Sequence, residues 1–277
     1  MTDRDDLASH YATGHLLDRI KQGCAALGLA PPMEPDVFAP VDEFHIGGRA
    51  ATVPFIDALQ VTKDSRVLDL GCGLGGPARY VAAQTGAHVT GIDLTEEFID
   101  TAKALTEWTG LTERVHLLMG SVMGLPFEDR SMDAAYMIHV GMNIPDKAGL
   151  TREVARVLKP GGRFAIYDVM QIGVGDMAYP APWASEADQS ALATPELYED
   201  ALTDAGFDLQ DRIDRTGFAR DFFANLAAAQ TRANGSPPLG LHLVMGETTA
   251  LKLRNMVSHI HTGLIAPIEL HARLPTD

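Results

Sequence analysis

Two cysteines, Cys24 and Cys72, are all that the 277 residues contain. Two thiols make neither a disulfide framework nor a zinc set, and they fit a reducing compartment. Basic charge is also scarce. There are 22 Lys and Arg against 37 Asp and Glu, a formal net charge of −15 and a pI near 5.0. A chain this acidic is a poor match for a phosphate backbone, which needs clustered Lys and Arg, so nucleic acid is not an expected partner. No apolar run reaches the roughly 18 residues of a membrane span. The first ten residues, MTDRDDLASH, are too charged for a secretory signal. Internal repeats and low-complexity tracts are absent. With 46% apolar residues and mean hydropathy near zero, the chain reads as an ordinary cytoplasmic globular protein.

The apolar pattern sets the architecture. A first helix carries Tyr11, Leu16, Leu17 and Ile20 on one face and stops near Gly28, ahead of Pro31, Pro32 and Pro35. A Gly47-Gly48 break precedes a second helical pattern that runs to about Leu59. From Arg66 strand and helix alternate, with RVLDL, HVTGID, VHLLMGS, MDAAYMI and RFAIYDV as strands. Such alternation requires right-handed crossovers and a mostly parallel, doubly wound α/β sheet. After Asp168 the rhythm breaks. Residues 170–193 read as a long loop, and a helix from Thr194 to Gly206 follows. DLQDRIDRT is a sixth strand, residues 217–265 are largely helical, and IELHARL is a seventh strand. The N-terminal helices and the two irregular stretches are expected to form a helical cover over the C-terminal ends of the strands.

VLDLGCGLGGPA, from Val67 to Ala78, follows a strand and opens a helix, and Gly71, Gly73 and Gly76 satisfy G-x-G-x-x-G. Glycines there allow a sharp turn and close approach of a ligand. Asp93 ends the second strand, where a carboxylate can accept bonds from ribose hydroxyls. Asp69 discriminates further, because it would set a negative charge beside the pyrophosphate of a dinucleotide. At about 4 Å and an effective dielectric near 20, that opposition costs roughly 4 kcal/mol per charge pair. A phosphate-free ligand with a cationic end, such as S-adenosylmethionine, has the opposite preference.

With the acid of GIDL and with LKPGGRF (Leu158 to Phe164), this turn resembles the class I S-adenosylmethionine-dependent methyltransferases over about residues 66–170. DEFHIGGRAAT and IHVGMNI resemble, less specifically, small-molecule enzymes near the ubiquinone/menaquinone and sarcosine/dimethylglycine methyltransferases. The resemblance implies a Rossmann-like seven-stranded fold that binds S-adenosylmethionine and releases S-adenosylhomocysteine. It places Asp69, Gly71 and Gly73 at the methionine end, Asp93 and Leu94 at the ribose, and Ser121 and Val122 at the adenine. Many relatives carry Asp where Ser121 stands, so the adenine contact here falls to backbone or to this hydroxyl. The implied division is an N-terminal helical cover at 1–60 and a methyltransferase domain at 61–277. The cofactor core of that domain is about 61–170, with cover insertions at about 170–193 and 217–265.

Methyl transfer is an in-line displacement, so alignment and exclusion of water matter more than a nucleophile on the protein. His139, at the end of the fourth strand, is a candidate for orienting the acceptor, taking its proton or walling the cofactor. His45, beside Gly47 and Gly48, is a second candidate, and Tyr11, sharing a helix face with His15, a third. Each has a structural alternative in a strand end, a turn or packing. Asn143 is read as a polar contact or a cap, Trp183 as a pocket wall or a loop anchor, and His259 and His261 as surface or packing residues. No metal-ligand spacing is evident. The expected acceptor is a small molecule, with nitrogen as the first choice and a quinone-like or polyketide-like ring, methylated on carbon or oxygen, as the second. An NAD(P)-dependent oxidoreductase and a non-catalytic cofactor-binding protein are more distant readings. A second copy of the chain, as a homodimer, is left open as a partner.

Overall fold

The computed structural model describes residues 14–232 and 235–276. Seven strands form one sheet: β1 (Arg66–Leu70), β2 (His88–Asp93), β3 (Val115–Met119), β4 (Met132–Ile138), β5 (Leu158–Gln171), β6 (Asp208–Asp214) and β7 (Ile265–Arg273). Their order is β3-β2-β1-β4-β5-β7-β6, and only β7 runs against its neighbours. The expected Rossmann-like sheet is present. Two ends differ from expectation. LKPGG lies within β5, because Leu158 already pairs with Met132 before a register irregularity. β7 begins at Ile265, ahead of IELHARL, because it pairs antiparallel with the far end of β5 as far as Gln171.

Alternation along the strands sends side chains to two apolar layers. Val67, Val89, Tyr136 and Tyr167 pack under α3 (Arg49–Asp57), α4 (Gly76–Thr85) and α5 (Glu96–Trp108), together with Phe55, Val81 and Ala102. Leu68, Ile92, Met137 and Ile166 face the opposite layer, where α6 (Lys147–Val157) and α7 (Pro195–Asp204) contribute Leu150, Val154 and Leu202. Thr194 caps α7 by accepting from the Leu197 N–H, as Ser and Thr do at helix starts.

Two smaller apolar clusters cover the strand ends. α1 (Leu16–Ala26) buries Leu16 and Ile20 with Phe38, Phe98, Leu239 and Val244. Residues 181–184 pack with α8 (Thr216–Arg232) and α10 (Thr249–Thr262) through Trp183, Phe223, Met256 and Ile260. Tyr11 lies outside the described residues. His15 precedes α1 in a left-handed conformation, with its side chain 88% exposed and 3.8 Å from Asp18, so its ring faces solvent rather than a ligand. His259 is more than a surface residue: its Nε2 accepts from the Ala178 N–H and anchors the 170–193 segment. No described helix is long and apolar enough to cross a membrane.

A buried ion pair ties the N-terminal segment to this frame. Arg79 on α4 donates to Asp42 Oδ2 at 2.6 Å and to the Leu74 carbonyl at 2.7 Å, and both side chains are sealed from water. Removing one partner of such a pair strands the other. Arg79→Leu is therefore expected to lower stability by about 3 kcal/mol, read as a shift in the urea midpoint at constant slope.

Candidate active site

The crossover after β1 leaves for one face of the sheet and the crossover after β4 for the other. Adjacent strands that diverge in this way open a crevice at their carboxyl ends. A cavity of about 320 Å³ occupies it, lined from β1, β2, β4, the segment around Asp42–His45 and the loop around Trp183.

The β1–α4 turn forms one wall. Gly71 and Gly73 both have positive φ, 72° and 51°, but for different neighbours. A Cβ on Gly71 would lie 2.4 Å from the Val140 side chain, whereas one on Gly73 would meet no protein atom within 4 Å. Gly71 thus lets the turn pack on the β4 loop, and Gly73 borders open cavity. Asp93 links the turn to β2, with Oδ2 accepting from the Gly73 N–H and Oδ1 from the Thr95 N–H, each at 2.9 Å. Leu94, Ser121 and Val122 continue the wall. Ser121 Oγ is partly engaged, accepting from the Met123 N–H at 3.2 Å.

Asp69 lines the cavity from β1 and accepts from the Tyr136 hydroxyl at 2.9 Å. Burial pushes its carboxyl up to about 8, with the nearby Asp93 charge adding to the shift. This amends the expectation of a standing negative charge at the tip of β1. Burial thus favours the protonated carboxyl at neutral pH.

His139 closes β4 at φ 55°, and its N–H donates to the Tyr167 carbonyl at 2.7 Å. Its ring stands 5.0 Å from that of Tyr167 and 6.0 Å from that of His45. Burial, reinforced by His45, holds the imidazole well below the ordinary range, so the ring is neutral. Its Nε2 is buried with no hydrogen-bond partner. His45 is also neutral, held down to about 4 by burial. Its Nε2 lies 3.2 Å from the Gly48 carbonyl and 3.0 Å from Thr52 Oγ1, so that nitrogen is already engaged by protein. The two histidines predicted from sequence therefore share one wall but differ in availability.

Sequence reasoning missed Asp42 and Glu43. Asp42 lines the cavity, and its Oδ1 is buried without a partner. Glu43 accepts from Thr52 at 2.6 Å and lies 3.0 Å from Arg49. The signal was two acids within an otherwise apolar stretch beside His45. Asn143 and Trp183 do join the site, because Asn143 Nδ2 donates to the Trp183 carbonyl at 2.7 Å. Trp183 is wall and anchor at once: it lines the cavity while its indole N–H donates to Ser190 at 2.9 Å.

Residues 68–166 match the family described as "Methyltransferase domain". That segment is a methyltransferase domain. Over 111 residues it is 41% identical to the sterol 24-C-methyltransferase ERG6B of Gibberella zeae, a match spanning 40% of this chain and 29% of that one. Over 177 residues it is 32% identical to methyltransferase GfsG of Streptomyces halstedii, spanning 63% of this chain and 64% of that one. The match thus covers less than two thirds of either relative's length. The crystal structure of geranyl diphosphate C-methyltransferase from Streptomyces coelicolor A3(2) shares the fold, with a TM-score of 0.71 at 17% identity over 99% of this chain and 98% of that one. The cofactor of the family, S-adenosylmethionine, suits the donor set: acids for a cationic tail, and a glycine whose missing Cβ leaves room. Nothing in the site favours the dinucleotide of an oxidoreductase.

The two glycines separate fold from ligand. Gly73→Ala is expected to weaken S-adenosylhomocysteine binding at least tenfold in calorimetry, at a stability cost of about 1 kcal/mol for the left-handed residue. Gly71→Ala should show mainly a stability loss, because its new methyl strikes Val140. Equal behaviour of the two variants in both measurements would contradict this division.

Proposed function

We propose that this methyltransferase moves the methyl group of S-adenosylmethionine to a carbon atom of a lipophilic, uncharged small molecule with an alkene or comparably electron-rich carbon. The cofactor would lie with its methionine end at Asp69, Gly71 and Gly73, its ribose at Asp93 and Leu94, and its adenine at Ser121 and Val122. It supplies an electrophilic methyl carbon on a good leaving group. What remains for the protein is to align the acceptor carbon in line with that methyl, keep water out and receive one proton.

The observation that carries this reading is the neutral imidazole of His139 among the residues lining the cavity, with its Nε2 buried just behind that surface and unpartnered. When an alkene carbon takes a methyl cation, positive charge is left on the neighbouring carbon, and loss of a proton restores the double bond. A neutral imidazole with a free lone pair can take that proton. The carboxyl of Asp42 offers negative charge to the transient cation, while Phe44, Met142 and Trp183 supply apolar surface. No Lys or Arg is among the described residues lining the cavity, which favours an uncharged acceptor over a phosphorylated one.

The sequence-based preference for nitrogen gives way to carbon on two grounds. Two of the relatives named above carry C-methyltransferase in their names. The acceptor side of the cavity is largely apolar, whereas a small polar amine would call for more hydrogen-bonding groups. Nitrogen remains the second reading, favoured by the negative charge of Asp42 behind the cavity wall.

Two outcomes test the assignment. With methyl-labelled cofactor and paired panels of alkenyl lipids and small amines, label is expected in a solvent-extractable product with a new carbon–methyl bond. His139→Asn should lower that turnover at least 100-fold while leaving S-adenosylhomocysteine affinity within threefold. Label appearing only in an amine would replace carbon by nitrogen.

The second outcome concerns Asp69. The ligand-free carboxyl is protonated below about 8 and must ionise to meet an ammonium, so binding at pH 7 should release about one proton. Affinity should accordingly rise with pH towards that value. Calorimetry in buffers of different ionisation enthalpy measures the release. Asp69→Asn should abolish it and weaken binding at least tenfold.

A further inference from the structure

Asp168 on β5 is fully buried and is not among the residues lining the cavity, yet it holds the loop that carries His139. Its Oδ1 accepts from the Val140 N–H at 2.9 Å, and its Oδ2 accepts from the Tyr198 hydroxyl, on α7, at 2.8 Å. The next residue is Gly141, where a Cβ would stand 2.2 Å from Asp168 Oδ2 and 2.3 Å from the Tyr198 oxygen. Only glycine lets the loop settle onto the carboxylate. His139 occupies the left-handed region that a non-glycine residue adopts only when its surroundings over-determine it. Its own N–H is tied to Tyr167, so the turn is pinned on both sides, by the β5 backbone before it and by Asp168 after it. The loop is then fastened to the cover. Lys147 donates to the Ala191 carbonyl at 2.8 Å, and the Ala191 N–H donates to the Met142 carbonyl at 2.6 Å.

We propose that Asp168 is a positioning residue: by capturing the Val140 N–H, and locked by Tyr198, it holds His139 in its left-handed turn and fixes where its imidazole stands beside the cavity. It deepens the reading of His139 as the group that receives the acceptor's proton, and rests on that reading for its functional meaning. The asparagine amide can still present a carbonyl oxygen to Val140, whereas alanine presents nothing, and the two variants therefore separate positioning from simple bulk.

The readout is the His139 ring Cε1–Hε1 resonance of the ligand-free protein, assigned by its loss in His139→Asn. In Asp168→Ala this resonance is expected to move or broaden while those of His242 and His259 stay in place. In Asp168→Asn it should return close to its original position. With an acceptor in hand, turnover should fall at least thirtyfold in Asp168→Ala and recover at least tenfold of that in Asp168→Asn. Should Asp168→Ala fail to fold, Tyr198→Phe keeps the carboxylate but removes its lock, and a smaller displacement of the same resonance is expected. An unmoved His139 resonance in the folded variants overturns the positioning role. A displaced resonance together with full turnover in His139→Asn upholds the positioning and overturns only the catalytic reading of His139.

Discussion

A cavity that gathers three carboxylates and no Lys or Arg among its described lining residues must settle its charge by other means. Asp42, Asp69 and Asp93 do so in three different ways. Asp42 leans on Arg79 behind the wall, and even so burial holds its carboxyl up to about 6. Asp93 is satisfied by the backbone N–H groups of Gly73 and Thr95. Asp69 has only the Tyr136 hydroxyl and keeps its proton. The ligand-free site is therefore less negative than its formula suggests, and an arriving cation meets acids able to ionise towards it. A group that becomes charged only when its partner arrives avoids the cost of a standing, unpaired buried charge.

The loop after β4 is where this electrostatic half meets the acceptor half. Val140 occupies the space that the missing Cβ of Gly71 leaves, so the β4 loop and the glycine turn are fitted to each other. One residue away stands the imidazole of His139, its Nε2 buried and unpartnered, and three residues on Asn143 grips the Trp183 carbonyl. A shift in this loop would change the cofactor turn, the imidazole and the cover together. That explains why so much buried polarity, from Asp168, Tyr198 and Lys147, is spent behind a segment of a few residues. Buried polar groups that are fully satisfied rigidify what they hold.

The sheet was legible because its signals are local. Short apolar runs separated by helical periods allow few other arrangements, and the glycine turn lies between a strand and a helix as its geometry demands. Asp69 and Asp93 could be found because each lies at the carboxyl end of a short strand, and those ends meet at the crevice. Asp42 and Asp168 could not be found in this way. Asp42 reaches the cavity through an ion pair with a residue 37 positions away. Asp168 sits at the end of an apolar run, with no local mark separating it from a strand terminus, and its partners come from β4 and α7. The state of Asp69 was hidden for the same reason: its position is local, but its protonation depends on a Tyr136 hydroxyl contributed by the neighbouring strand and on the burial around it. The long strand β5 was cut short in the sequence reading because Gly161 and Gly162 are turn residues by composition, while pairing of Leu158 with Met132 draws that stretch into the sheet.

The division between what relatives share and what this chain supplies follows the same line. The methyltransferase match runs from 68 to 166 and contains Asp69, Gly73, Asp93, Ser121 and His139. Asp42, Phe44, His45, Trp183 and Val244 lie outside it, yet all five line the cavity. A cofactor that is the same across a family can be held by a conserved strand-end geometry, because its shape and charge do not change. An acceptor that differs from one relative to the next must be recognised by segments free to differ, and here those are the three segments around Asp42–His45, Trp183 and Val244. The proposed carbon acceptor rests on the chemistry of those five side chains: one acid backed by Arg79, one neutral imidazole, and Phe44, Trp183 and Val244 as apolar surface. That combination stabilises positive charge within an apolar enclosure. It matches a carbon acceptor that becomes cationic only during the reaction better than one that must be desolvated as a cation beforehand, since burying a permanent charge carries a penalty that a transient one defers to the step it accelerates.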